Sequence, residues 1–206
     1  MMNMINIALL IASIILIIVV AAVTKRHGKL QDAKNRRFLE EEQAANTARR
    51  REIEPELFFE ADLSHLPNIS EDDPHKVLRT SKRKMIRFEK PESNVDLKKR
   101  YGVAQLESIT LYEENFHDFL KSLGQWAQAL FEEGYADDAL RVLEYSIKLG
   151  SEFRGSYKLA CDIYFQDRNI NALNKLLKVA SDNYFYDPAV QEHVLSHIEE
   201  KISNLN

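Results

Sequence analysis

Two histidines four residues apart, His193 and His197, have the spacing in this sequence best suited to chemistry. On a helix they share one face, where they could ligate a metal with Glu192 or Glu200 close by. The zinc-protease arrangement needs a glutamate directly after the first histidine. Val194 stands there, and no third ligand is evident. The pair therefore reads as two surface histidines, and no metal site is assigned. Cys161 is the single cysteine, and it falls on an apolar helical face, where thiols behave as inert core residues. Asp62 and His65 lie near each other with no serine or cysteine motif around them, and His27 and His117 stand alone. The 6 glycines are scattered, so no phosphate-cradling loop exists. Nucleophile, base and orienter do not come together anywhere. No catalytic residue, cofactor or metal is predicted, and the sequence reads as a non-enzyme.

The chain has 206 residues and a formal net charge of -4, enough for one folded domain with extensions. Its mild acidity argues against nucleic acid as a general partner. A lone cysteine excludes a disulfide framework within the chain and fits a reducing compartment.

The elements that would position any site are helical. Between Ser122 and Asp182 one pattern occurs twice, offset by 33 residues. Trp126-Ala127 falls on Leu159-Ala160, Leu130-Phe131 on Ile163-Tyr164, Ala139-Leu140 on Ala172-Leu173, and Leu143 on Leu176. In the first copy Leu123, Trp126, Ala127, Leu130 and Phe131 are spaced by three and four, which predicts one helical face. Gly134 can take the left-handed conformation that ends a helix. Asp137 and Asp138 then suit the first turn of a return helix, where the macrodipole favours negative charge. In the second copy Gln166-Asp167-Arg168-Asn169 is the break, and Ala172, Leu173, Leu176, Leu177 and Val179 form the return helix. The run Trp126-Ala127, Leu130, Gly134-Tyr135, Ala139 and Leu143 resembles a tetratricopeptide repeat. The second copy departs from that pattern with Asp167-Arg168 in place of Gly-Tyr, and Ser151 stands where a repeat-end proline is usual. The resemblance implies stacked helical hairpins with a concave face that binds protein segments.

At the other end, Met4 to Val23 is uncharged, with only Asn6 and Ser13 polar. As a helix it would span roughly 30 Å, the thickness of a bilayer core. Lys25, Arg26 and Lys29 follow and no basic residue precedes it. A cleaved signal would need a basic start and a shorter apolar core. The expectation is a single-pass anchor with the N-terminus outside and the rest cytoplasmic. On that side the sequon Asn68-Ile69-Ser70 carries no meaning. The stretch from Tyr101 to Asp118 resembles small single-pass bacterial membrane proteins with a short repeat domain, a resemblance that implies no activity.

The predicted organisation is mainly α: an anchor over 1–24, a charged helical linker over 25–54, an irregular proline-containing segment over 55–102, and a tetratricopeptide-like array over 103–206. The linker has a thin apolar face and needs mixed-charge pairs or a partner helix, as in a coiled coil. Leu57-Phe58-Phe59, Leu63 and Leu66 are apolar clusters expected to pack along the helical domain, the alternative being a segment that folds on binding a partner. A helix is predicted from about Leu111, with Thr110 and Glu113 as its capping box. The last helix, Pro188 to Leu205, would cap the array. The function expected is a membrane-anchored cytoplasmic scaffold that binds a protein partner; the alternative is a self-associating structural protein or an accessory subunit of a membrane enzyme complex. The residues expected to contact the partner are Asn115, Gln125, Gln128, Tyr157, Lys158 and Asp162.

Overall fold

The computed structural model describes residues 24–26, 31–70, 72–88 and 90–205, and these are mainly helical. The predicted anchor Met4–Val23 lies outside the described residues. Among those described, no helix is long and apolar enough to cross a membrane. In chain order the elements are α1 (31–46), a 3-10 turn (Pro55–Leu57), β1 (Phe58–Phe59), α2 (Val77–Ser81), β2 (Met85–Ile86), α3 (Asn94–Tyr101), α4 (Val103–Glu132), α5 (Ala136–Lys148), α6 (Arg154–Gln166), α7 (Ile170–Asp182) and α8 (Pro188–Ser203). They form two compact units: Met1–Arg51 with Asn94–Ala104, and Glu52–Ser93 with Gln105–Asn206.

In the first unit, charge joins α1 to α3. Lys98 Nζ donates to Glu42 Oε2 at 2.9 Å, with both side chains less than a quarter exposed. Lys99 Nζ lies 3.5 Å from Glu41 Oε2 in a more exposed pair, which contributes less. Ala45, Leu97 and Tyr101 are buried. The Arg51 N–H donates to the Tyr101 carbonyl at 3.1 Å. Gly102, with φ +79°, allows this approach: a Cβ there would lie 3.0 Å from the backbone of Arg50.

In the second unit, β1 and β2 pair antiparallel, with Phe58 opposite Ile86 and Phe59 opposite Met85. The Phe59 ring meets Phe116 of α4 edge-on at 5.1 Å. Lys84 Nζ sits 4.3 Å over the Phe58 ring. Phe59, Ala61, Leu63, Leu66 and Ile69 all pack against the core, so the apolar clusters of this segment are satisfied within the chain. Polar ties reinforce them. Thr80 Oγ1 and Ser122 Oγ share a buried hydrogen bond of 2.9 Å, and Arg83 pairs with Asp118 at 2.8 Å. One continuous core runs through Phe119, Leu123, Trp126 and Ala127 of α4, Ala139, Val142 and Leu143 of α5, Leu159, Ala160 and Ile163 of α6, Leu173 and Leu176 of α7, and Val194 and Ile198 of α8. Helix α6 packs against α5, α7 and α8.

The long helix differs from expectation at its start. Helix α4 begins at Val103, not near Leu111, so Thr110 and Glu113 lie inside it and cap nothing. The reason is that Tyr101 ends α3 and Gly102 takes the left-handed conformation, leaving Val103 as the first residue able to turn helically again.

Three turns use one device. After α4, the Gly134 N–H donates to Phe131 O and the Tyr135 N–H to Leu130 O, with Gly134 at φ +90°. After α5, Gly150 and Ser151 donate in the same way to Ile147 and Ser146. After α6, Arg168 and Asn169 donate to Phe165 and Tyr164, with Arg168 at φ +54°. This bonding pattern satisfies the last carbonyls of each helix. Asn169 then accepts from the Ala172 N–H and caps α7.

These turns give substitutions of opposite sign. A left-handed residue with a Cβ costs about 1–2 kcal/mol, offset by about 0.4–1 kcal/mol from the freer unfolded chain of glycine. Gly134→Ala should therefore lower stability by about 1 kcal/mol, and Arg168→Gly should raise it by about 0.5 kcal/mol. Denaturant midpoints measure both; equal effects of the same sign would contradict the backbone explanation.

Candidate functional site

The described surface contains a groove of about 690 Å³ lined by α4 and the start of α6. From α4 come Lys121, Gly124, Gln125, Gln128, Ala129 and Glu132. Lys121, Gln125, Gln128 and Glu132 follow at spacings of four, three and four, one stripe of the helix. Leu123, Trp126 and Ala127 are turned inward to the core, so the same helix serves both purposes. From α6 come Arg154, Gly155, Ser156 and Leu159, with Phe153 preceding them, and His75 closes one end. Gln128 Nε2 donates to Glu132 Oε1 at 2.8 Å, which holds the acidic group of the groove along its own helix.

The six residues expected to bind a partner divide. Gln125 and Gln128 are exposed and line the groove. Lys158 is exposed on α6 but lies outside the lining. Asn115 is half-buried and accepts from Arg83 while donating to the Lys84 carbonyl at 3.0 Å, so it fastens the strand segment to α4. Asp162 sits between His197 Nε2 at 3.3 Å and Lys201 Nζ at 3.1 Å, joining α6 to α8. Tyr157 is corrected outright. It is 0% exposed, its ring lies tilted against Phe185 with centroids 5.3 Å apart, and its hydroxyl accepts from Asn183 Nδ2 at 2.7 Å. Its phase on α6 turns it into the core one residue after Ser156, so it cannot meet a partner.

Lys121, Phe153, Arg154 and Ser156 line the groove without having been singled out in the sequence, and Leu159, noted there only for the repeat, lines it too. The stripe spacing through Lys121, Gln125 and Gln128 was a usable signal for the first of them. Nothing local marks Arg154 to Ser156, because they matter by starting a helix opposite α4.

The other chemistry-bearing residues stay apart. His193 is exposed while His197 is turned to Asp162. Among the described residues, no group of three histidine, cysteine or acidic side chains is placed to hold a metal. Asp62 and His65 form an exposed 3.9 Å pair. Burial, with Asp162 adding to it, pushes the Cys161 thiol up to about 11. Burial also pushes the Tyr157 hydroxyl up to about 12, against the opposing bond from Asn183. Tyr164 is raised by burial and then by its bond to Glu144, and burial raises Glu113.

No protein-family model, curated protein or solved structure matches the chain.

The raised groups predict alkaline sensitivity. Their protonated forms are favoured by folding, so the stability they contribute is complete below their ordinary values of 9.0 and 10.0. It is lost as the pH rises through about 11 for Cys161 and about 12 for Tyr157. The denaturant midpoint should fall across that window, and Tyr157→Phe should flatten the upper part of the fall. A midpoint in Tyr157→Phe that tracks the parent to the top of the window would refute the assignment.

Proposed function

We propose that this protein is a membrane-tethered adaptor whose helical module holds a protein partner in the groove between α4 and α6. The observation that carries the reading is the exposed α4 stripe facing the start of α6 across an open, partly apolar groove. Phe153, Leu159 and Ala129 offer apolar contact, while Gln125 and Gln128 offer amide donors and acceptors suited to a peptide backbone. A tetratricopeptide-like stacking of α4 with α5 and α6 with α7 is part of this proposal, supported by the 33-residue offset of their core residues. So is the tether, supported by the uncharged run Met4–Val23 and the basic residues after it. That topology leaves the helical module in the cytoplasm. A groove of this length fits a weak, reversible partner of micromolar affinity or weaker.

A photoreactive side chain at Gln128 in the full-length protein, irradiated in native membranes, should give an adduct with a different protein. The same group at Glu199, exposed on α8, should not. Gln125→Ala with Gln128→Ala should weaken capture about tenfold, the sum of two ordinary hydrogen-bond losses of about 0.5–1.5 kcal/mol each. A self-adduct alone would replace the adaptor with the self-associating structural protein. Labelling at Gln128 no stronger than at Glu199 would remove the groove from the function.

A further inference from the structure

The groove has an electropositive pole, and it lies at the start of α6. Helix N-termini leave their first N–H groups without intrahelical acceptors and concentrate positive potential there. In α6 the N-cap is Phe153, which supplies no side-chain bond. The Ser156 N–H turns back to the Phe153 carbonyl at 3.0 Å, and no acceptor among the described residues takes the Arg154 or Gly155 N–H. A Cβ at Gly155 would meet nothing within 4 Å, so the backbone is open to a ligand. Lys121 approaches the same groove from α4, and no ion pair among the described residues engages it or Arg154. His75 is the remaining basic group, and Glu132, occupied by Gln128, is the one acid in the lining.

A second, independent feature lies in the same place. Ser156 is only 4% exposed and lines the groove, yet its Oγ has no hydrogen-bond partner. It faces α4 at Gly124, where an added Cβ would come within 3.2 Å of it. A buried hydroxyl without a partner is unfavourable, and rotation toward a ligand at the adjacent helix start would recover that bond.

We infer that this pole receives the phosphoryl group of a phosphoserine or phosphothreonine in the partner segment. The inference rests on the groove being the partner site. Two cations, two backbone N–H groups and a hydroxyl exceed what a carboxylate's two oxygens and single charge can use. A phosphoryl group brings three acceptor oxygens and about -1.5 to -2 charges. The apolar strip of Phe153, Leu159 and Ala129 beside the pole accommodates the residues flanking the phosphate, which favours a peptide over a free ion.

The test uses the full-length protein in detergent micelles with fluorescein-labelled Ala-Leu-phosphoserine-Leu-Ala, read by anisotropy. The phosphopeptide should bind at least tenfold more tightly than its serine and glutamate counterparts. Lys121→Ala and Arg154→Ala should each weaken it severalfold, and Lys121→Glu with Arg154→Glu should abolish it while the circular dichroism spectrum is kept. Inorganic phosphate should compete only at far higher concentration than the unlabelled phosphopeptide. Absence of saturable binding, equal binding of the serine peptide, or inorganic phosphate competing as well as the peptide would each overturn the inference. Phosphatase treatment of the membranes before irradiation separates the two proposals. It should erase the Gln128 adduct; an adduct that survives undiminished leaves the adaptor standing and refutes the phosphate site.

Discussion

A 30-residue helix such as α4 is about 45 Å long. Its apolar face continues along most of that length, from Ile109 through Phe116, Phe119 and Leu123 to Trp126 and Ala127. The 13 residues of α5 cover about 20 Å. A single return helix therefore cannot bury the whole face, and the exposed remainder would cost about 25 cal/mol for each Å² of apolar surface left wet. Within the second unit, residues 55–93 supply the missing cover through Phe59, packed on Phe116 and Phe119. Two-residue strands and a five-residue helix have no stability of their own. They stay in place because they complete a face that the array leaves open.

The polar contacts follow from the same arrangement. Thr80 and Ser122 are both nearly buried, and each satisfies the other where α2 meets α4. Asn115 and Asp118 hold Arg83 and the Lys84 carbonyl at the strand segment. On the far side, Asn183 joins the Ile147 carbonyl to the Tyr157 hydroxyl, and Gln191 closes the end of α7 by donating to Ala180 and Asn183. These are directional ties on top of a non-directional core. They fix which turn of one helix meets which turn of the next, something apolar burial alone leaves loose.

Helices could be read from periodicity because α5 and α7 have one strongly apolar face each, and Leu143 and Leu176 lie in the core as their spacing requires. The start of α4 was hidden because it depends on Gly102 fitting against Arg50, a contact about fifty residues distant in sequence. The 33-residue offset sets Asp167 opposite Gly134, yet it is Arg168 that takes the left-handed position, with the same hydrogen bonds as at Gly134. Bonding of the final carbonyls outweighs the modest cost of one left-handed arginine. At the groove, Gln125 and Gln128 were readable from helix phase on α4. Tyr157 was not, because on α6 the faces toward α5, α7 and α8 are all covered, and a single helical wheel does not reveal which polar-looking position is enclosed. The N-terminal pole of α6 is a product of where one helix begins opposite another, and no local residue pattern encodes that.

The core face and the groove stripe of α4 are different faces, and under the proposed adaptor role this separation has a consequence. Lys121, Gln125 and Gln128 contribute nothing to the core, so changes among them alter what the groove accepts without a stability cost beyond about 0.5 kcal/mol each. The floor is different. Gly124 lies against Ser156, and a Cβ at Gly124 would come within 3.2 Å of the Ser156 hydroxyl, so a side chain there crowds the groove floor. Small residues thus form the groove floor at Gly124 and Ser156, while its polar stripe is made of exposed side chains. On the proposed role, the chemistry offered to a partner could therefore be tuned along α4 independently of the core packing.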